Sequence, residues 1–546
     1  MIRNQPTEHA AVTRPRSVRD AVLDVLRSFG TTTVFGNPGS TEISFLVGFP
    51  DDVEFRLALH EGSVVGMATG WAIARGRPAF VNLHTTAGLA NAASALATAR
   101  VNRAPLVVVV GQQDRRHLAH EPFLAGHLDG LVGEYPVWSN TPLRPQDVPA
   151  AVARAHHEAI TGAGPAIVVV PMDDWEQPAA PERGAAPLAV HRAAPAVTTV
   201  IDEVAELVDA ARNPVIVAGA GNDSEPAWSA LVDLAERLGT PVWQEPFGAR
   251  AGFPQDHPAF AGHLPPGRAG VREVLSRHDA LLVVGAPVLR QYAWERGDLL
   301  PEGVRVLQIT QYPEEAHGSA ADLALIADPT EVCRALAAKV TPRAARATGR
   351  SAPEPVPAPG PGEPLMPAHV FDLLARHLPA DAILVEESPS SRPELHRRVP
   401  ARAPLGFVSA AAGGLGFGLP AAIGLKMGAP SRPVVAVLGD GSSLYGIQGL
   451  WSAAHYRTGV LFVVMSNGGY AIMDKLAENS GRGKAPWPSF AEITISGVAE
   501  ALACPAVRVT THGQLEATLA DVLPGLAERS GPLVLDIQVA RDRTYG

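Results

Sequence analysis

Short apolar runs recur along the 546-residue chain, each closed by Gly, Pro or Asp. The clearest are Thr33–Phe35, Ala79–Leu83, Leu106–Val110, Ala166–Val170, Val215–Ala218, Leu281–Val284, Val304–Ile309, Val434–Leu438, Val460–Met465 and Leu533–Val539. Polar residues rarely interrupt them, as expected for strands buried on both faces of a parallel sheet. Between them lie Ala-, Leu- and Arg-rich stretches with helical spacing, such as Ser17–Phe29 and Val200–Ala211. The alternation predicts an α/β protein built from doubly wound parallel sheets. Two segments break the rhythm. Gln177–Val197 is rich in Pro and Ala, and Thr341–Glu363 contains Pro-Ala-Pro-Gly-Pro-Gly. Both read as extended linkers, and cutting there predicts three consecutive domains at 15–177, 198–340 and 364–546.

Composition narrows the partners. Lys+Arg 45 against Asp+Glu 55 gives a net charge of −10 with no basic run, so nucleic acid is not an expected partner. A charged fraction of 18% beside 46% hydrophobic residues excludes a mostly disordered chain. Two cysteines, Cys333 and Cys504, are too few for a disulfide framework and read as structural thiols. Met1–Asp20 has no apolar signal-like core. The longest apolar runs, Pro105–Gly111 and Ala280–Leu289, fall short of the roughly 18–20 residues of a membrane span. A cytoplasmic protein with no membrane partner is expected.

The strongest chemical signal lies in the third block. The run Val434–Leu438 leads directly into Gly439-Asp440-Gly441-Ser442, and Val460–Met465 ends in Ser466-Asn467-Gly468-Gly469-Tyr470. Asp440 and Asn467 would thus stand at the carboxyl ends of two strands, where open parallel sheets bind ligands. A carboxylate and an amide oxygen are hard ligands suited to Mg²⁺, which keeps places for phosphate oxygens. The glycines would let backbone N–H groups approach a diphosphate at a helix N-terminus. In the first block, Leu57-Ala58-Leu59-His60-Glu61-Gly62 ends a strand and opens a helix rich in small residues.

This Gly-Asp-Gly, followed after one βαβ unit by Asn, resembles the signature of the thiamine diphosphate-dependent decarboxylase/carboligase family. Val34-Phe35-Gly36-Asn37-Pro38-Gly39-Ser40, Asn82-Leu83-His84-Thr85-Thr86-Ala87-Gly88 with Asn91, and Gly111-Gln112-Gln113 look like its benzoylformate decarboxylase branch. So do Pro171-Met172-Asp173-Asp174-Trp175, Gly285-Ala286-Pro287-Val288 and Ala411-Ala412-Gly413-Gly414-Leu415-Gly416-Phe417. The likeness implies a pyrimidine-binding domain, a Rossmann-like middle domain and a diphosphate-binding domain. It implies thiamine diphosphate and Mg²⁺ as cofactors, with Asp440, Asn467 and the Gly469 carbonyl on the metal. Ser390, Gly441, Ser442 and Tyr470 would meet the diphosphate, Gly413 and Leu415 the aminopyrimidine, and Glu61 its N1′. Ser40 would bind the substrate carboxylate and His84 would move protons. Plainer readings stand beside these. Gly39-Ser40-Thr41-Glu42 reads equally well as a helix N-terminus capped by Ser40, His84 as a satisfied strand-end histidine, and Leu415 and Tyr470 as core residues.

The chain also departs from the branch. Counting from Gly285-Ala286-Pro287-Val288 places Tyr292 where the branch has a second active-site histidine; His117 or His120 is a conceivable replacement, or simply solvated. Ile472 and Met473 alter the pocket, and Ile472 replaces a small residue, so a phenyl group is expected to fit poorly. Ala218-Gly219-Ala220-Gly221-Asn222 lacks the later features of a dinucleotide fingerprint and reads as a Rossmann-like layer without nucleotide. The expected function is decarboxylation of a 2-oxo acid to an aldehyde. The alternative is carboligation to a 2-hydroxy ketone, acetolactate synthase- or benzaldehyde lyase-like. The resemblance implies a homodimer or homotetramer, with Glu61 and Asp440 meeting between chains.

Overall fold

The computed structural model describes residues 16–180, 190, 198–346, 348, 353–483 and 485–541. Most of the linker stretch 177–197, part of 341–363 and the first 15 residues lie outside this set. The described chain forms three six-stranded sheets in series, each wholly parallel in its strand pairings.

The first sheet contains β1 (Thr33–Asn37), β2 (Glu54–Leu57), β3 (Ala79–Leu83), β4 (Leu106–Gln112), β5 (Trp138–Asn140) and β6 (Pro165–Pro171), in the order β2-β1-β3-β4-β6-β5. The second holds β7 (Pro214–Ala218), β8 (Val242–Gln244), β9 (Phe260–His263), β10 (Ala280–Val284), β11 (Arg305–Thr310) and β12 (Leu323–Ile326), ordered β12-β11-β10-β7-β8-β9. The third holds β13 (Ile383–Glu387), β14 (Phe407–Ser409), β15 (Val434–Gly439), β16 (Val460–Ser466), β17 (Ala506–Val509) and β18 (Leu533–Gln538), ordered β14-β13-β15-β16-β18-β17. All ten predicted runs fall on strands. The strands that escaped notice are mostly short edge pieces with mixed polarity, such as β12, whose side chains alternate between half-buried and exposed.

In each sheet the strand order reverses once near the middle, between β1 and β3, β7 and β10, and β13 and β15. Such switch points leave a crevice at the carboxyl ends of the strands. Asn37 pairs with Leu83 at the first and Glu387 with Leu438 at the third. The local architecture therefore delivers Ser40, His84, Asp440 and Asn467 to crevices before any side-chain chemistry is considered.

The first and third sheets share one apolar core, running from Phe35, Val64 and Met67 to Ala421, Ile423 and Phe462. Its seam is the packing of helix Glu61–Arg75 on helix Gly418–Gly428. These two helices meet backbone to backbone. A Cβ on Gly70 would lie 2.1 Å from the Ala421 carbonyl oxygen, and one on Gly424 1.8 Å from that of Met67. Glycine is required at both places because nothing larger fits. Asn102 strengthens the seam, donating to Ser409 O at 2.9 Å and accepting from Ala411 N–H at 2.9 Å. The middle sheet carries its own cores on its two faces and is tied to the first by Arg103, which lies 3.0 Å from Glu315 and stacks over Tyr312.

Among the described residues no helix is long and apolar enough to cross a membrane. Cys333 and Cys504 are free and buried, and burial pushes each thiol up to about 12. At that value neither thiol is a ready nucleophile near neutral pH.

Candidate active site

At the third switch point Asp440 follows β15 as the first residue of helix Asp440–Leu444 and is 5% exposed. One carboxylate oxygen accepts from Gly441 N–H at 2.8 Å; the other accepts from Asn467 N–H at 3.0 Å and Gly468 N–H at 2.7 Å. Burial raises its pKa, and these three donors pull it back. Asp440 thus fastens the turn after β15 to the turn after β16. The Asn467 amide oxygen accepts from Gly469 N–H at 3.2 Å, and Gly468 takes a φ of +73° that favours glycine. Tyr470 lies against Gly441, where a Cβ would come within 2.7 Å of its ring, and stacks edge-on with Phe490. It is half-buried, which sets it apart from an ordinary core aromatic. Ser390, at the end of the β13 crevice, accepts the N–H of Ile472 at 3.1 Å. Ser442 is buried and its hydroxyl is committed, donating to Glu387 O at 2.6 Å. Its N–H, in the first helical turn, is the group free of intrahelical partners.

This donor set fits a divalent cation with a diphosphate: one buried carboxylate, one amide oxygen and a helix N-terminus, all hard or anion-seeking groups. Among the described residues no group of three or more His, Cys, Asp or Glu is placed to hold a metal ion by itself; Mg²⁺ suits a site with few protein ligands because it keeps places for phosphate oxygens and water.

The loop 411–417 follows β14. Gly413 is exposed with φ +70° and Gly416 has φ +92°, both left-handed conformations that favour glycine. Leu415 between them is only half-buried, so its side chain stands at the loop surface.

In the first domain Glu61 opens helix Glu61–Arg75 behind the N-cap His60. Its carboxylate is 8% exposed and accepts from the amides of Asn37 at 3.1 Å and Asn91 at 3.0 Å. Ser40 stands exposed as the first residue of the 3₁₀ turn Ser40–Glu42. It is not the cap, because Gly39 holds that position. His84 directly follows β3, at the N-cap of helix Thr85–Asn91, and is held by a residue with no predicted role. Glu42, 1% exposed, accepts at one oxygen from Gly39 N–H at 2.7 Å and from His84 Nδ1 at 3.0 Å, and at the other from the Thr41 hydroxyl at 2.5 Å. Nδ1 also lies 3.0 Å from the Thr41 hydroxyl, which itself donates to Glu42; a carboxylate only accepts, so Nδ1 carries the hydrogen of the Glu42 bond and Nε2 is the ring nitrogen left for another partner. Gly39 makes room for the ring: a Cβ there would lie 2.3–2.5 Å from three of its atoms.

The structure does not bring every expected residue together. Tyr292 is 69% exposed on a loop of the middle domain, with its N–H on Pro266 O. His117 and His120 sit exposed on the turn Arg115–His120. Ile472 is half-buried and Met473 43% exposed at the start of helix Ala471–Ser480. In the middle domain the glycine turn packs on the neighbouring loop, Gly221 N–H bonding to Gly285 O at 2.8 Å. The adjoining cavity of about 400 Å³ is bordered by Arg103 and Arg290, already paired with Glu314, Glu315 and Glu245.

Family models for thiamine pyrophosphate enzymes match all three parts: the N-terminal binding domain at residues 16–130, the central domain at 201–336 and the C-terminal binding domain at 391–537. The chain belongs to the thiamine diphosphate enzymes. It is 40% identical to benzoylformate decarboxylase of Pseudomonas aeruginosa over 511 residues, covering 93% of this chain and 97% of that one. Among solved structures it resembles a thiamine diphosphate-dependent 4-hydroxybenzoylformate decarboxylase of Rhodococcus jostii, with TM-score 0.91, 35% identity and coverage of 97% and 100%. It also resembles benzoylformate decarboxylase from Polynucleobacter necessarius, with TM-score 0.91, 34% identity and coverage of 96% and 99%. The three-sheet fold and the thiamine diphosphate and Mg²⁺ requirement follow from this membership.

Proposed function

We propose that this thiamine diphosphate enzyme decarboxylates a 2-oxo acid and releases the aldehyde. The observation that carries the reading is the Glu42–His84 pair: a buried carboxylate holds the imidazole through Nδ1 and leaves Nε2 to exchange protons, with Ser40 exposed two residues before Glu42. The bound cofactor supplies the carbon nucleophile and electron sink that decarboxylation needs. In this reading Asp440, Asn467 and the Gly469 carbonyl hold Mg²⁺, and Ser390, Gly441, Ser442 and Tyr470 hold the diphosphate. Gly413 and Leu415 position the aminopyrimidine and Glu61 faces its N1′. Ser40 donates to the substrate carboxylate, and His84 gives and takes protons at Nε2. Tyr292, Ile472 and Met473 shape the substrate pocket, with the β-branched Ile472 narrowing it against a phenyl group.

Domain limits of 15–177, 198–340 and 364–546 accompany this reading. Glu61 and Asp440 are each satisfied within their own domain, and an exposed apolar residue stands near each in sequence: Leu59 by Glu61 and Tyr445 by Asp440. This supports a site completed between two copies, in a homodimer or homotetramer. Two free cysteines favour the cytoplasm.

The test is CO₂ release from a panel of aryl and aliphatic 2-oxo acids with thiamine diphosphate and Mg²⁺, each with and without an acceptor aldehyde. Aldehyde as the main product supports the proposal. A 2-hydroxy ketone as the main product replaces it with carboligation, and silence across the panel overturns it.

A further inference from the structure

Two groups of residues must be held at a fixed separation for the reading above to work: the loop 411–417, with Gly413 and Leu415, and the Gly439–Ser442 turn. One buried residue, Glu387, touches both. Glu387 ends β13 at the third switch point and is 3% exposed. One of its carboxylate oxygens accepts from Gly416 N–H at 2.5 Å and the other from Gly418 N–H. Gly416 belongs to the loop, and Gly418 is the first residue of the eleven-residue helix Gly418–Gly428. The main-chain oxygen of the same residue accepts the Ser442 hydroxyl at 2.6 Å. Contact with Gly418 is close, since a Cβ there would lie 2.9 Å from both Cβ and Oε2 of Glu387.

Leaving a carboxylate in so dry a place is costly. Burial pushes its carboxyl up to about 8, the N–H groups of Gly418, Gly416 and Phe417 pull it back, and neighbouring Glu386 pushes it further up. Glu386 itself is paired with Arg392 at 2.7 Å. Both oxygens of Glu387 take an N–H, which a carboxyl group can satisfy at both positions; an amide would turn its NH₂ toward one of these donors. A buried acid serving only to fill space could be apolar at lower cost.

We infer that Glu387 is a positioning residue that sets the loop bearing Gly413 and Leu415 against the Gly-Asp-Gly turn, and so holds the pyrimidine half of the cofactor in register with its diphosphate half. The inference rests on the proposed placement of thiamine diphosphate. Glu387→Gln isolates it, because the main-chain bond to Ser442 survives while one of the two loop N–H groups loses its acceptor.

Binding is measured by calorimetry with two probes, thiamine diphosphate and inorganic pyrophosphate, each with Mg²⁺, on the full-length protein. Pyrophosphate affinity of the variant should stay within about threefold of wild type, while thiamine diphosphate binds about tenfold or more weakly, the size expected for losing one charge-assisted contact. At saturating cofactor kcat should fall about tenfold or more, with KM for the 2-oxo acid little changed. Unchanged thiamine diphosphate affinity and kcat would overturn the inference, as would equal weakening of both probes, which marks a residue that merely holds the domain together. Glu387→Asp keeps the charge but withdraws it by one methylene, and should show the same pattern at smaller amplitude. If Glu387→Gln is insoluble, the aspartate variant decides by the same criteria. A wild-type protein that binds thiamine diphosphate yet decarboxylates nothing would defeat the proposed function and leave the two-probe comparison standing.

Discussion

Glu42→Gln separates the charge behind His84 from its shape. The amide oxygen can take the place of the oxygen that accepts from Gly39 and His84, at 2.7 and 3.0 Å. The amide NH₂ then faces the Thr41 hydroxyl, which can accept. The fold should therefore tolerate the change, whereas Glu42→Ala would strand three partners at a site only 1% exposed. What is lost is the negative charge. A hydrogen bond to a charged group contributes roughly 1.5–3 kcal/mol and a neutral one roughly 0.5–1.5, so the His84 bond weakens by about 1–1.5 kcal/mol. When Nε2 takes a proton, the attraction between imidazolium and carboxylate would be about 5 kcal/mol at an effective dielectric of 20, an upper bound that solvent at the half-buried ring reduces. Together these place the loss in kcat between about 10-fold and 100-fold. The assay is the initial rate of CO₂ release at saturating cofactor, with the thermal midpoint as a check on folding. Glu42→Gln, His84→Ala and the double variant form a cycle. Because Glu42 acts through the imidazole, the double variant should be no slower than His84→Ala alone. Additive losses, or a Glu42→Gln rate equal to wild type, would refute the reasoning.

Glu61→Gln should bind thiamine diphosphate normally yet turn over about 10²–10⁴-fold more slowly, read by calorimetry alongside CO₂ release. Asp440→Ala, or chelation of Mg²⁺ with EDTA, should abolish cofactor binding in the same titration, and added Mg²⁺ should restore only the chelated wild type. Gly39→Ala drives a methyl into the His84 ring, so the rate should fall about 100-fold, more than the accompanying drop in thermal midpoint accounts for at the assay temperature. Gly424→Ala forces a methyl onto the Met67 carbonyl; it should lower stability by about 1–3 kcal/mol or more in chemical denaturation, because backbone cannot step aside as a side chain can.

Strands buried on both faces announce themselves through uninterrupted Val, Ile and Leu, which is why β4, β15 and β16 could be placed from the chain alone. The interior strand β13 could not, because it ends in Glu386 and Glu387, residues that composition assigns to the surface and that are buried here. The same blind spot hid Glu42. Its spacing from Gly39 signals a helix start, and it does bond back to the Gly39 N–H. The contact with His84 joins residues 42 positions apart, and only the sheet order brings β1 beside β3. Asp440 and Asn467 were legible because each directly follows its own strand, so that position in the chain already meant position at the crevice. Ser40 illustrates the limit of motif reading: the capping role it shares with most serines at such turns falls to Gly39. Tyr292 is the converse case, a residue located by counting that lies on an exposed loop of the middle domain rather than at a strand end.

The glycine-lined seam between helices Glu61–Arg75 and Gly418–Gly428 also matters to anyone who wishes to recombine this protein with its relatives. Each helix is contoured to the other's main chain, so compatibility is decided by bare Cα positions rather than by interchangeable apolar side chains. Two halves taken from different parents would meet here with unmatched bumps and hollows, even if each half folded well. A chimera that exchanges the middle domain leaves this junction in one inheritance. A chimera that exchanges the first domain alone should be rescued only by carrying helix Gly418–Gly428 along with it. What looks in linear order like three portable modules is, for the purposes of shuffling, one split unit with an insert.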